Sequence, residues 1–361
     1  MPQFHVGLMS GTSLDGVDAA LVDFDAPSGR LVSSHFLPYP DDVRADALAL
    51  CAPGPDEIER AGDLGNRIAD LYADAVQRLL RSHGSIGVEA IGAHGQTVRH
   101  RPERGFTVQL LNAARLAERT GLRVVADLRS RDVAAGGQGA PLVPAYHAAC
   151  FARSDRRRVV VNIGGIANVT VLHPGRPVAG FDTGPGNALL DLWTAEHLGQ
   201  RYDAGGAWSA SGRVVEPLLA AMLADPYFDA PPPKSTGREL FHRAWLERFE
   251  PVRHAPADVA ATLAALTARS IALSISTHRP GTDDVLVCGG GVHNAMLMAA
   301  LAQALPSARV DSTAAEGVDP DWVEAMAFAW LARETLAGRP GNLPGVTGAA
   351  GPRVLGAIHA P

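Results

Sequence analysis

Segment 6–23, VGLMSGTSLDGVDAALVD, sets Gly11 and Gly16, the hydroxyl residues Ser10, Thr12 and Ser13, and the carboxylates Asp15 and Asp18 between two apolar runs. Glycines admit an anionic oxygen close to backbone N–H groups, hydroxyls add donors, and acidic side chains can hold a hydrated divalent cation. That is phosphate-binding chemistry on a hairpin, because positions 17–22 alternate as a strand does and the lysine of a Walker loop is absent. Segment 158–172 repeats the design, with Gly164, Gly165 and Asn168 between β-branched runs. Either hairpin alone could be a tight turn whose polar side chains satisfy their own backbone. Two in one chain predict a duplicated, two-lobed nucleotide clamp.

Two further glycine segments follow apolar runs. Asp182 opens the run DTGPGN, which suits a helix N-cap and a catalytic carboxylate alike. Gly184 and Gly186 around Pro185 mark a close-approach turn that a cap does not need. Gly289, Gly290 and Gly291 follow an apolar strand expected at 284–288 and would let an adenine or ribose lie on backbone, although three glycines also make an ordinary strand-to-helix turn.

The elements that must hold these groups alternate along the chain. A third strand is expected at 31–39 and a helix at 58–83, with Ile68, Leu71, Ala75 and Leu79 on one stripe. A buried strand follows at 88–97, ending in a polar turn where α/β proteins place chemistry. Next come a helix at 112–120 and a strand at 123–126. The charged, glycine-rich segment 127–141 reads as a functional loop or crossover. In the second half a strand at 178–181 feeds the Asp182 turn, and a helix carries Leu189, Leu190, Leu192 and Trp193. Helices at 256–277 and 321–336 and a closing strand at 353–358 complete the pattern. The fold class expected is α/β, with one lobe at 1–130 plus about 340–361 and the other at 131–339.

A chain of 361 residues exceeds the range of a single growing core, so two domains are expected. A net charge of −6 and the lack of any Lys/Arg run longer than Arg156-Arg157-Arg158 argue against nucleic acid as a partner. Cys51, Cys150 and Cys288 show no metal-type spacing and read as reduced thiols of a cytosolic protein. No leader pattern and no apolar run near ~18 residues point to a membrane, so the expected location is cytoplasmic.

Blocks 11–16, 94–99, 162–168, 181–187, 234–241, 289–294 and 317–325, in this order, resemble the anhydro-N-acetylmuramic acid kinase family over essentially the whole chain. The resemblance implies a two-lobed actin-like (ribonuclease-H-like) ATPase fold, with nucleotide in the interlobe cleft. It implies a carbohydrate kinase that uses ATP and Mg²⁺, opens 1,6-anhydro-N-acetylmuramic acid with water and phosphorylates O6. The products would be N-acetylmuramic acid 6-phosphate and ADP.

The family's general base falls on Asp182. Its ATP contacts fall on Ser10, Gly11, Thr12, Ser13, Leu14, Asp15, Gly16, Val17, Gly164, Gly165, Asn168, Gly289, Gly290, Gly291 and Asn294. Its sugar contacts fall on His94, Gln96, Thr97, Arg99, Arg131, Gly184, Pro185, Gly186, Asn187 and Glu324. Arg99 or Arg131 would face the lactyl carboxylate. His94 could instead bond only a turn, and Glu324 could be only a first-turn acid favoured by the helix dipole. No residue is a secure metal ligand. A homodimer and a place in peptidoglycan recycling also follow from the resemblance.

Three rivals stay open: another sugar or acid kinase on the same fold, a non-catalytic actin-like nucleotide switch, and a glycosidase, which would want a second carboxylate near Asp182.

Overall fold

The computed structural model describes residues 3–11, 13–26, 28–84, 86–232, 234–237 and 240–361, so the expected contact at Thr12 lies outside the described residues. The chain forms two compact units, Met1–Cys150 with Trp322–Pro361 and Phe151–Asp321.

In the first unit β1 (Phe4–Met9) is buried from His5 onward, as a central strand covered on both faces must be. It pairs antiparallel with β2 (Gly16–Asp23), which pairs antiparallel with β3 (Arg30–Pro38). On its other side β1 runs parallel to β4 (Val88–Ala93). The single strand expected at 88–97 is in fact two: β4 ends at Ala93, His94 and Gly95 turn the chain, and β5 (Gln96–Arg101) begins a separate hairpin with β6 (Phe106–Leu110). The positive φ of 77° at Gly95 makes that break possible. Parallel to β4 runs β7 (Val124–Ala126).

Two helices precede β4. The first, α1 (Asp41–Leu50), was not expected; its signature is the spacing of buried Val43, Ala47 and Leu50 behind two first-turn acids. The second, α2 (Glu57–Leu80), buries Leu64, Ile68, Tyr72, Ala75, Val76 and Leu79, while Leu71 is only half-buried at the stripe's edge. Helix α3 (Ala113–Thr120) is capped by Asn112, whose side chain accepts the Arg115 N–H at 3.0 Å. The glycine-rich segment then folds into α4 (Ser130–Ala134) and a turn leading to α5 (Val143–Phe151).

The second unit builds the same sheet again. Strand β8 (Arg158–Ile163) pairs antiparallel with β9 (Ile166–Leu172), and β9 with β10 (Ala179–Pro185); β8 runs parallel to β11 (Asp284–Cys288), and β11 to β12 (Arg309–Ser312). The strand orders, β7-β4-β1-β2-β3 and β12-β11-β8-β9-β10, are equivalent, so the expected ribonuclease-H-like unit is present twice.

Between β10 and β11 come α6 (Ala188–Leu198), the short helices α7 (Ala207–Ser211), α8 (Glu216–Leu223), α9 (Pro226–Asp229) and α10 (Arg243–Glu247), and the long α11 (Pro256–His278). By length and composition α11 could cross a membrane, but 83% of its most apolar window is buried inside the unit, as befits a core helix. The basic run is spent on ion pairs within this unit: Arg157 with Asp283 at 2.8 Å, Arg156 with Asp284, and Arg158 with Asp284 at 3.1 Å and with Glu316 at 2.8 Å.

Helix α12 (Ala295–Ala304) precedes β12, and α13 (Val323–Leu336) follows it. After α14 (Pro344–Thr347) the chain closes with β13 (Ala357–His359), antiparallel to β7. Helix α13 packs on β1 and β4 of the first unit. The unit boundaries therefore fall at 150/151 and 321/322, against the expected 130/131 and about 340. Residues 131–150 stay with the first unit because Asp132, fully buried, accepts from Asn342 and Thr347, and Tyr146 donates to the Ser28 carbonyl at 3.1 Å.

Where α13 crosses the sheet, backbone meets backbone. A Cβ at Gly7 would fall on the Ala325 carbonyl, and one at Gly92 on the Phe328 carbonyl. Gly7→Ala should therefore lower stability by about 1–3 kcal/mol through overpacking. Gly62→Ala, in an exposed position of α2 with nothing within 4 Å, should raise it by about 0.5–1 kcal/mol. Denaturant unfolding of both variants checks this; equal midpoints would remove the close-approach argument.

Candidate functional site

In the first unit the turn between β1 and β2 is held from beneath by side chains. The Ser10 hydroxyl is buried and lies 2.8 Å from both the Tyr39 and the Tyr72 hydroxyl groups. Burial pushes the Tyr39 phenol up to about 12, so it stays protonated and donates. The hydroxyl expected to meet phosphate is thus engaged in anchoring the turn. Gln96, on β5 and fully buried, donates to the Gly11 carbonyl at 3.2 Å, which also accepts from the Leu14 N–H at 3.3 Å. Leu14 takes a φ of 60°, rare for a leucine, and is held there by the burial of its side chain.

Above the turn there is space. A Cβ on Gly11 would approach nothing closer than the Ser13 hydroxyl at 3.5 Å. Gly16, by contrast, owes its lack of a side chain to packing, since a Cβ there would strike the Leu37 carbonyl of β3. Val17 is buried in β2 and Asp15 is exposed.

His94 stands where β4 ends. Its ring Nδ1 lies 3.1 Å from the Ser10 carbonyl and its Nε2 receives two hydrogen bonds from Arg129, at 3.1 and 2.9 Å. The ring also tilts against Phe328 of α13 at 4.8 Å. Burial first, and then the Arg129 charge, pull its pKa down to about 3, so the imidazole is neutral. Arg129 was not foreseen: the same charged segment drew attention to Arg131, but the turn of α4 leaves Arg131 exposed and directs Arg129 inward.

Glu324, half-buried at the start of α13, has its pKa raised by burial, against which the Arg129 charge works. Arg99 is tied to structure, donating to the Leu50 carbonyl and to Glu57 at 3.1 Å. Thr97 accepts from Gln109 at 3.2 Å. A cavity of about 580 Å³ opens beside His94, lined by Asn66, Gln109, Asn112 and Asp127 among others; of the expected sugar contacts only His94 lines it.

In the second unit the strand expected to end at Phe181 continues through Pro185. Asp182 is therefore a strand residue opposite Asn168, and a bulge follows it, with Thr183 as the extra residue whose hydroxyl donates to the Ala167 carbonyl at 3.1 Å. Helix α6 begins only at Ala188, which dismisses the reading of Asp182 as its cap. The Asp182 carboxylate accepts the Thr236 N–H at 2.9 Å, its own N–H donates to the Lys234 carbonyl, and the Tyr227 hydroxyl donates to its carbonyl at 2.9 Å. Lys234 itself donates to the Tyr227 and Phe228 carbonyls. Gly184 takes a φ of 147°, against the Phe228 ring.

The second turn is held by main chain. N–H groups of Gly186, Asn187 and Ala188 donate to the Gly164 and Gly165 carbonyls at 2.8 to 3.1 Å, and the Asn187 side chain donates to the Ile163 carbonyl at 3.3 Å. This brings segment 184–187 onto the 164–165 turn, with Gly165 exposed and no atom nearer than 3.8 Å to its Cβ position. Of the triple glycine, Gly289 and Gly291 pack on Asn162 and Ile163 at the end of β8, while Gly290 is exposed above them. Asn294 is the N-cap of α12, accepting the Leu297 N–H at 2.9 Å.

Comparison with known proteins fits these two sheets and their turns. The anhydro-N-acetylmuramic acid kinase family model matches residues 3–361. The anhydro-N-acetylmuramic acid kinase of Pseudomonas paraeruginosa is 56% identical, covering 99% of this chain and 99% of that protein. The protein of that description from Pseudomonas putida is 55% identical over 98% and 99%, and that from Nitrosospira multiformis 53% identical over 99% and 98%. On the strength of a match that runs from the first strand to the last, the chain belongs to the anhydro-N-acetylmuramic acid kinase family.

Proposed function

We propose that the chain performs the reaction its family is named for, using ATP to phosphorylate O6 of 1,6-anhydro-N-acetylmuramic acid while water opens the anhydro bridge. The observation that carries this reading is Asp182, a carboxylate on a bulged strand end, oriented by the Thr236 N–H and relieved of capping duty. Asp182 takes a proton from water as the water oxygen bonds to the anomeric carbon. The C1–O6 bond breaks, its electron pair stays on O6, O6 attacks the γ-phosphorus, and the bond from that phosphorus to the ADP oxygen breaks. The proton on Asp182 then leaves to solvent. One carboxylate suffices, because the departing O6 discharges its negative charge onto the phosphoryl group and needs no acid.

The protein's remaining work is positioning. In the first unit the backbone around Gly11 and Ser13 offers donors to phosphate oxygens; in the second the exposed turn at Gly164 and Gly165 does so, and Gly290 offers open backbone to the adenosine. Mg²⁺ would neutralise phosphate charge, with Asp15 and Asp18 as its carboxylates. Such an ion keeps several of its waters and binds mainly through nucleotide phosphates, so it asks for few protein carboxylates. The sugar contacts assigned to His94, Gln96, Thr97, Arg131 and Glu324 rest on the family resemblance, as do a homodimer and a cytoplasmic role in peptidoglycan recycling.

An ADP-release assay with 1,6-anhydro-N-acetylmuramic acid in ¹⁸O-water tests the reaction. One solvent oxygen in the sugar phosphate is expected; release with N-acetylmuramic acid and no solvent oxygen would instead indicate an ordinary sugar kinase. Asp182→Asn should cut turnover by about 10²–10⁴-fold with ATP binding retained, and turnover within a fewfold of the parent would sink the base assignment. Gly11→Val and Gly165→Val should fold normally yet bind nucleotide more weakly, since each new side chain enters open space above a turn. Unchanged affinity in both would remove the turns from the phosphate site.

A further inference from the structure

The charged, glycine-rich segment 127–141 has no duty in the reaction above beyond the exposed Arg131, yet it is tightly built. The Asp132 carboxylate, fully buried, accepts from Asn342 and Thr347 on one oxygen, both at 2.7 Å, and from the Gly139 N–H at 2.8 Å on the other. Gly139 has a φ of 67°, which turns its carbonyl to accept from Arg129 at 2.8 Å. The rest of the Arg129 guanidinium points at one atom, His94 Nε2.

A guanidinium has donors only, so the nitrogen receiving it must offer a lone pair. In a neutral imidazole the proton then sits on Nδ1, the nitrogen that faces the Ser10 carbonyl. Buried surroundings keep that ring neutral and leave Arg129 charged, its pKa lowered by desolvation only to about 10.

We propose that Arg129 is a positioning residue for nucleotide binding: by fixing His94 as the Nδ1–H tautomer it makes His94 a donor to the Ser10 carbonyl and holds the β1–β2 turn in its phosphate-receiving shape. This rests on the reading of that turn as a phosphate site. The Ser10 side chain is anchored separately by two tyrosines and the Gly11 carbonyl by Gln96, so the histidine supplies the support for the Ser10 carbonyl at the head of the turn. The inert partner for this job would be any fixed donor, and a histidine performs it only if its tautomer is set.

The test uses the full chain. In ¹⁵N-histidine-labelled protein, with the signal assigned by its loss in His94→Asn, His94 should be neutral and protonated at Nδ1. In Arg129→Met the Nε2–H form should gain population, and Arg129→Lys, which still donates, should restore the original tautomer. Calorimetry with Mg²⁺ and the β,γ-imido analogue of ATP should show about tenfold weaker binding for Arg129→Met and for His94→Ala, the scale of one lost hydrogen bond. His94→Asn, which keeps a short donor toward Ser10, should bind the analogue more tightly than His94→Ala.

A parent His94 that is protonated or in the Nε2–H form at neutral pH overturns the proposal. So does parent-like analogue affinity in both Arg129→Met and His94→Ala. Should Arg129→Met not fold, the His94 pair still decides. A parent protein that binds no analogue would instead remove the nucleotide reading, while the tautomer measurement would still decide the link from Arg129 to His94.

Discussion

A turn that presents N–H groups to an anion must have its carbonyls and hydroxyls satisfied from behind, or the turn collapses onto its own donors. Both hairpin turns have such support from behind, by different means. In the first unit, four side chains converge on the two residues that open the turn: Tyr39 and Tyr72 on the Ser10 hydroxyl, His94 on its carbonyl, Gln96 on the Gly11 carbonyl. In the second unit the support is the main chain of 186–188, bonded directly to the turn's carbonyls.

This difference follows from what comes after each meander. In the second unit the strand carrying Asp182 continues through a bulge into the 184–187 segment, whose glycines let it lie against the 164–165 turn; a Cβ on Gly186 would strike the Gly164 carbonyl. The Asp182 carboxylate and the turn's support therefore belong to one continuous piece of chain. In the first unit β3 leads away into α1 and α2, and support comes from side chains: Tyr39 just after β3, Tyr72 of α2, His94 just after β4 and Gln96 of β5. The price is a set of buried polar groups, and Asp132, Gly139 and Arg129 extend that set outward until it reaches α14.

Repetition of the sheet did not bring repetition of the chemistry. Each unit pairs a three-strand meander with a parallel pair, but the helices that pack on them differ. Helix α13 lies so close on β1 and β4 that only glycines fit at positions 7 and 92, and it brings Phe328 against His94 and Glu324 into the field of Arg129. The second unit's α11 is instead a long apolar core helix, most of it buried.

The sequence alone determined the two hairpins, the α/β alternation and the candidate base, because each depends on local signals: period-two apolar runs, glycine at turns, and a short acidic block. It did not determine where elements stop. Segment 88–97 is one apolar-to-polar run by composition, and only the turn at Gly95 divides it into strands of two sheets; segment 178–187 looks like strand then turn, and only pairing with β9 keeps it a strand through Pro185. Side-chain duty was the tertiary structure's decision throughout. Ser10, Arg99 and Asn294 are polar residues of blocks read as site segments, yet their polar atoms are engaged by partners 62, 49 and three residues away, while Arg129, two positions from the arginine that drew notice, faces His94 across 35 residues. The physical reason is that a buried polar atom takes whichever partner the packed fold brings within 3 Å, and sequence distance carries no information about that choice.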